Sequence, residues 1–234
     1  MNFLFDLYGT LADIHTDENK AELWTKFAAL LGEQDGERVK EEYLCICKKH
    51  ADARAYKFVE FDLLLVFEKM LQNRGIDKSK ASFFAREFRV FSREKLKLFP
   101  HVLEMLDGLR EKGAGVYLVS NAQACFTRDE IDELGLTSHF DGILISSEAG
   151  VKKPDGQIFE VAFNRFNINK KECFYVGNDL HDDVLGAKGA GLRTVYIETE
   201  QSGKYSELNI TPDYIVPTHK AMMELLFSLS EAQK

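Results

Sequence analysis

Asn2-Phe3-Leu4-Phe5, followed by Asp6-Leu7-Tyr8-Gly9-Thr10, is the stretch on which the fold of this chain turns. Residues 2–5 are a short apolar run without clean polar alternation, the pattern of a strand buried on both faces. Asp6 ends the run, and Gly9 supplies a turn. Similar runs recur at 115–119, 142–145, 173–176, 194–197 and 214–216. Helical patterns lie between most of them: 101–112, placed behind Pro100, then 125–134, 156–166 and 183–190. Strands alternating with helices predict an α/β fold with a doubly wound parallel sheet.

The rhythm changes from about His15 to Leu96. Helical patterns cover 22–31, 39–49, 59–74 and 79–96, with turns at 32–36 and 75–77 and no convincing strand. Phe84, Phe88 and Phe91 fall on one helix face at i, i+4, i+7. The expected organisation is a core of residues 1–14 and 97–234, with an α-helical insert at 15–96.

Composition narrows the function class. Of 234 residues, 45% are apolar and 29% charged, enough to bury a sizeable core. Eighteen phenylalanines predict a core built on aromatic contacts. A net charge of -8 argues against general affinity for nucleic acid or anionic membranes. Cys45, Cys47, Cys125 and Cys173 have neither zinc nor redox spacing, so they read as reduced thiols of a cytoplasmic protein. Residues 1–6 lack the features of a signal peptide, and no apolar run approaches the ~20 residues of a membrane helix.

In an open α/β sheet, ligands bind beyond the carboxyl ends of the strands. Those ends carry Asp6 with Thr10, then Ser120-Asn121, then Lys152-Lys153-Pro154, then Asn178-Asp179 with Asp182 and Asp183. Singly, each has an ordinary reading as a turn former, a cap or a solvated charge. Together they suit phosphoryl transfer. A carboxylate attacks phosphorus, magnesium bridges it to the phosphate through groups such as Asp6 and Asp179, and lysine and hydroxyls take up the remaining charge.

These motifs resemble those of the haloacid dehalogenase-like superfamily. Phe5-Asp6-Leu7-Tyr8-Gly9-Thr10-Leu11 is similar to its first motif and Val119-Ser120-Asn121 to its second. Lys153-Pro154-Asp155 with Phe159 is similar to the third. Val176-Gly177-Asn178-Asp179, with Asp183, Gly186-Ala187 and Ala190-Gly191, is similar to the fourth. The resemblance implies a Rossmann-like core with a helical cap inserted between the first two motifs. It makes Asp6 the nucleophile and gives Thr10, Ser120 and Asn121 to the phosphate. Lys153 would neutralise charge, Asp183 would orient Lys153 or the metal shell, and Mg2+ would be held by Asp6, the Tyr8 carbonyl and Asp179 or Asn178. The implied partner is a small phosphorylated metabolite, with the chain a monomer or homodimer.

Tyr8 departs from the phosphatases of the superfamily, which usually carry a second aspartate there for acid–base work. Asp-x-Tyr-Gly-Thr resembles metal-independent 2-haloacid dehalogenases instead, and Arg38 sits about where their halide-binding arginine lies. The acidic Asn178-Asp179, Phe159 in place of a tyrosine, and Ala122 after Asn121 point back to a phosphatase. A dehalogenase and a phospholigand-binding member without turnover stand as alternatives. Trp24 reads as core, Asp13 as a hinge residue, His15 as a structural residue beside the hinge with substrate contact as the alternative, and His181 as an exposed residue within the fourth motif.

Overall fold

The structure, a computed structural model, describes residues 1–231. The chain runs through β1 (Asn2–Phe5), β2 (Ala12–Thr16), α1 (Ala21–Leu30), α2 (Gly36–Asp52), α3 (Leu64–Gln72), α4 (Ala81–Ser92) and β3 (Arg93–Leu98). It continues through α5 (Val102–Glu111), β4 (Gly115–Ser120), α6 (Ala124–Glu133), β5 (Gly142–Ile145), α7 (Ser146–Ala149), α8 (Gln157–Phe166) and β6 (Cys173–Gly177). A π-helical turn (Leu180–Leu185) then leads to α9 (Gly186–Gly189), β7 (Arg193–Ile197), β8 (Tyr214–Val216) and α10 (His219–Glu231).

Six parallel strands form one sheet in the order β5-β4-β1-β6-β7-β8. The alternation of side chains along β1 explains why its run is continuously apolar. Phe3 and Phe5 point to a layer shared with α5 and α10, whereas Leu4 points to the layer of α8 and α9. Full burial of such a side chain stabilises the fold by about 1.5–3 kcal/mol. With β4 on one flank of β1 and β6 on the other, the strand order reverses at the centre of the sheet. The carboxyl ends of these three strands therefore converge at the switch point.

The segment between β1 and β4 is not wholly helical. β2 and β3 pair as an antiparallel ribbon, with Asp13 opposite Lys97 and His15 opposite Lys95. The helix expected to run to Leu96 ends at Ser92. Charged and apolar residues alternate only over Lys95–Leu98, behind three successive charges, and the pairing partner lies some eighty positions upstream, so no local window reveals the strand. Residues 59–62, expected to open a helix, lie outside α3, which starts at Leu64. Val59 pairs with Val151, Glu60 N–H donates to the Gly150 carbonyl at 3.0 Å, and Lys152 N–H donates to the Phe58 carbonyl at 3.0 Å.

The four helices α1 to α4 pack around aromatic rings. Phe88 lies 5.1 Å from Tyr43, 5.4 Å from Trp24 and Phe27, and 5.5 Å from Phe67, centroid to centroid. Phe126 of α6 joins this cluster and fastens the helices to the sheet layer. Among the described residues, no helix is long and apolar enough to cross a membrane.

Candidate active site

Asp6 leaves β1 with its N–H still bonded to Val176 of β6, 2.9 Å away. The chain then turns tightly, with Leu11 N–H bonded to the Leu7 carbonyl and Gly9 N–H to the Ala12 carbonyl, both at 2.8 Å. Gly9 has φ +83°, and a Cβ there would meet Asn178 Nδ2 at 2.4 Å. Glycine is thus required both by conformation and by space. The turn presents Thr10 beside Asp6, its hydroxyl 3.4 Å from Asp6 Oδ2 and 3.1 Å from Asn178 Oδ1.

Lys153 is the centre of the site. Its Nζ lies 2.8 Å from Asp6 Oδ1, 2.7 Å from Asp183 Oδ1 and 2.7 Å from the Tyr175 hydroxyl, and the residue is only 2% exposed. Ser120, at the end of β4, donates to Asp6 Oδ1 at 3.2 Å. Asn121 braces the lysine loop: its Oδ1 accepts from Lys153 N–H, and its Nδ2 donates to the Lys153 carbonyl and to Asp182. Burial by itself would lower the Lys153 ammonium, but the Asp183 and Asp6 carboxylates outweigh it and hold it above its ordinary value.

Asp183 is equally buried. Its Oδ2 accepts the N–H groups of Asn178 and Asp179, at 3.0 and 2.9 Å. A Cβ at position 177 would strike this carboxylate at 2.4 Å, so Gly177 makes room for it. Burial raises the Asp183 carboxyl, and Lys153 opposes that rise. Asp179 caps the π-helical turn, accepting from His181 N–H and Asp182 N–H, and both its oxygens accept from the Tyr205 hydroxyl. The Asn178 amide faces Thr199 and Ser202 at 3.3 and 3.4 Å.

Ser120, Asn121 and Asn178 line a cavity of ≈ 180 Å³ together with four carboxylates, Asp6, Asp179, Asp182 and Asp183, and one ammonium, Lys153, whereas Thr10 is fully buried behind it. The donors suit a hard cation, because carboxylate and amide oxygens are what octahedral magnesium prefers. Asp6 Oδ1 is taken by Lys153 and Ser120, whereas among the described residues Oδ2 has only the long contact from Thr10. Ligand atoms of Asp179, His181 and Asp182 also lie within 4.8 Å of one another.

Tyr8 lines the cavity, but its hydroxyl is engaged elsewhere. It donates to the buried carboxylate of Glu130 on α6 and lies 3.1 Å from the Thr127 hydroxyl. Arg89 of α4 reaches the same Glu130 at 2.7 Å, and Arg93 reaches it at 3.3 Å. Burial, with Glu130 next in weight, raises the Tyr8 phenol further above its ordinary value.

The other residues singled out in the sequence lie elsewhere. Arg38 is exposed in the first turn of α2 and does not line the cavity. His15 pairs with Glu94 on the ribbon, Asp13 pairs with Lys95, and Trp24 is core. Phe159 is buried against Tyr175. Two contacts escaped sequence reading. Tyr175 left a signal, a hydroxyl within a buried apolar strand, whereas Tyr205 left none because a loop brings it to Asp179.

The chain is similar to several known proteins. Phosphoserine phosphatase of Thermus thermophilus is 32% identical over 133 residues, 57% of this chain and 53% of that protein. The chain spans about half the length of the first curated relatives it matches. Haloacetate dehalogenase H-2 of a Moraxella species is 25% identical across 95% of this chain and 96% of that one. A HAD phosphatase structure from Thermococcus onnurineus superposes with TM-score 0.62 at 21% identity, covering 96% of this chain and 97% of the other. The family model of the haloacid dehalogenase-like hydrolases matches residues 1–191. That span takes in Asp6, Ser120, Lys153 and Asp183 alike, and the chain belongs to this family.

Proposed function

We propose that the protein is a magnesium-dependent phosphatase that acts on a small phosphorylated metabolite through an acyl phosphate on Asp6. The observation that carries this reading is the surplus of carboxylates around Asp6, four against a single ammonium. Displacement of a halide from carbon gives the surplus carboxylates Asp179 and Asp182 nothing to do beside Asp6. A phosphate ester would be repelled from such a site unless a cation accompanies it. Magnesium, when bound, neutralises this charge and the charge developing on the phosphate. Asp6 and Asp179 would hold it with the Tyr8 carbonyl, and Asn178 is the second choice of ligand.

The chain's own groups supply the remaining chemistry. Asp6 attacks phosphorus, the bond to the leaving oxygen breaks, and water later cleaves the acyl phosphate. Ser120 and Thr10 donate to phosphate oxygens, and Lys153 holds Asp6 ionised and aimed. Asp183 keeps Lys153 in place. The helical segment at 15–96 serves as the cap over the site.

With magnesium, the protein is expected to hydrolyse p-nitrophenyl phosphate and to lose that activity in chelator, as measured by phosphate release. Chloride release from 2-chloropropionate in chelator would establish the dehalogenase instead. Asp179→Asn is expected to raise the magnesium concentration needed for half-maximal rate. A larger effect from Asn178→Ala would move the ligand to position 178.

Because Tyr8 commits its hydroxyl to Glu130, it is not the proton donor to the leaving group. Aryl and acyl phosphates should therefore be cleaved much faster than alkyl phosphates. Tyr8→Phe should keep kcat within about threefold, because general acid catalysis contributes about 10²–10⁴-fold where it operates. It should cost about 1 kcal/mol of stability through the lost hydrogen bond. A fall in kcat beyond tenfold would return the hydroxyl to the mechanism.

A further inference from the structure

A second cavity, of ≈ 580 Å³, adjoins the first and shares Asn121, Lys153 and Asp182 with it. Its charge is opposite. Four cations, Arg54, Lys57, Lys152 and Lys153, line it against two carboxylates, Glu60 and Asp182. Both carboxylates already have partners. Glu60 lies 3.5 Å from Lys152 Nζ, and Asp182 accepts from Asn121 while lying 2.7 Å from His181 Nδ1. Arg54 and Lys57 have no carboxylate within 4.0 Å among the described residues.

Arg54 is also held in place, and Lys57, although exposed, has an aromatic ring beside its ammonium. Arg54 donates from Nε and one terminal nitrogen to the Ala51 and Val59 carbonyls, at 3.0 and 3.3 Å. Lys57 Nζ stands 5.3 Å from the centroid of the Phe58 ring. The loop that carries them is stitched to the lysine loop through the Phe58–Lys152 and Glu60–Gly150 backbone bonds. Gln123 fastens it further, donating to the Phe61 carbonyl at 3.1 Å and accepting from Leu63 N–H at 2.8 Å. A cationic wall ordered before binding loses less entropy when an anion arrives.

We propose that this cavity receives a second anionic group of the substrate. The preferred substrate class is then a phosphate monoester that also bears a carboxylate or a second phosphate. This rests on the phosphatase reading for the placement of the first phosphate beside Asp6. The two cavities divide the labour: a negative one that needs a metal for the reacting phosphate, and a positive one that accepts the other end directly.

The test is calorimetric binding of non-hydrolysable phosphonates to the magnesium-loaded protein. Probes are 3-phosphonopropionate and 4-phosphonobutyrate, 1,3-propanediphosphonate for the second-phosphate arm, and propylphosphonate as the reference without a distal anion. At least one doubly anionic probe should bind about tenfold or more tighter than propylphosphonate, the yield of one charge-assisted pair. The tighter arm identifies the carboxylate or the phosphate. Arg54→Met/Lys57→Met should bring that ratio close to one. Arg54 also braces its loop, so Lys57→Met alone, which removes only a charge above a ring, should lower the ratio at least threefold. A wild-type ratio near one, or a ratio unchanged in both variants, overturns the proposal. Hydrolysis of p-nitrophenyl phosphate is followed in parallel. Its absence would defeat the phosphatase reading, while the binding ratio still decides the second cavity.

Discussion

Asp6→Asn is expected to reduce phosphate-ester turnover on the order of 10⁴-fold or more, in keeping with removal of a nucleophile. The amide keeps the shape of the carboxylate. It can still accept from Ser120 and Lys153, which lie 3.2 and 2.8 Å from Oδ1 in the native protein. Folding should change little, because Asp183 remains to pair with Lys153 and one repulsive charge leaves a cavity that holds four. Circular dichroism and thermal melting check the fold, and stopped assays with p-nitrophenyl phosphate check the rate. Beryllofluoride, a mimic of the acyl phosphate, should bind the native protein and spare the variant. Turnover within tenfold of native in well-folded Asp6→Asn protein would mean that another group attacks.

Lys153→Met carries the largest expected effect on stability. Methionine fills a similar volume but leaves Asp6 and Asp183 facing each other without a cation. Removing one partner of a buried ion pair typically costs about 3–5 kcal/mol, because the remaining charge stays buried and uncompensated. Here Asp183 keeps its two backbone N–H donors and the Tyr175 hydroxyl, at 3.0, 2.9 and 3.2 Å, which places the cost towards the lower end of that range. Urea unfolding measures it. Activity should vanish with the lysine, so the informative control is the double variant Lys153→Met/Asp183→Asn. If the loss comes from an unpaired carboxylate, the second change should restore part of the stability. A single variant that costs less than about 1 kcal/mol would show that these carboxylates are solvated or protonated in the native protein.

Much of this site is legible in the order of residues along the chain. β1, β4, β6 and β7 are buried on both faces, so their apolar runs are continuous and their ends are marked by the first polar residues. Asp6, Ser120 and Asn178 are such residues, and parallel strands are bound to present them along one edge. The aromatic core of the helical segment is also written locally, in Phe84 and Phe88 on one face of α4. Gly9 and Gly177 stand in the motifs, but the clashes that require them involve Asn178 and Asp183 and appear only in three dimensions.

The amino-acid sequence by itself determined the α/β class and the order of the strand-end motifs, and it offered Asp6 and Lys153 as candidates at strand ends. Periodicity and polarity are properties of neighbouring residues, and these features depend on nothing more. Tertiary structure alone decided where side chains with two possible partners go. It turned the Tyr8 hydroxyl away to Glu130, 122 positions along the chain, and gave Tyr205 to Asp179 from a loop without a motif. It also made a strand of Arg93–Leu98 by pairing it with Ala12–Thr16, and set Arg54 and Lys57 beside the lysine loop. Each of these depends on a contact between distant segments, whose closure is favourable only once the sheet and the aromatic core have formed.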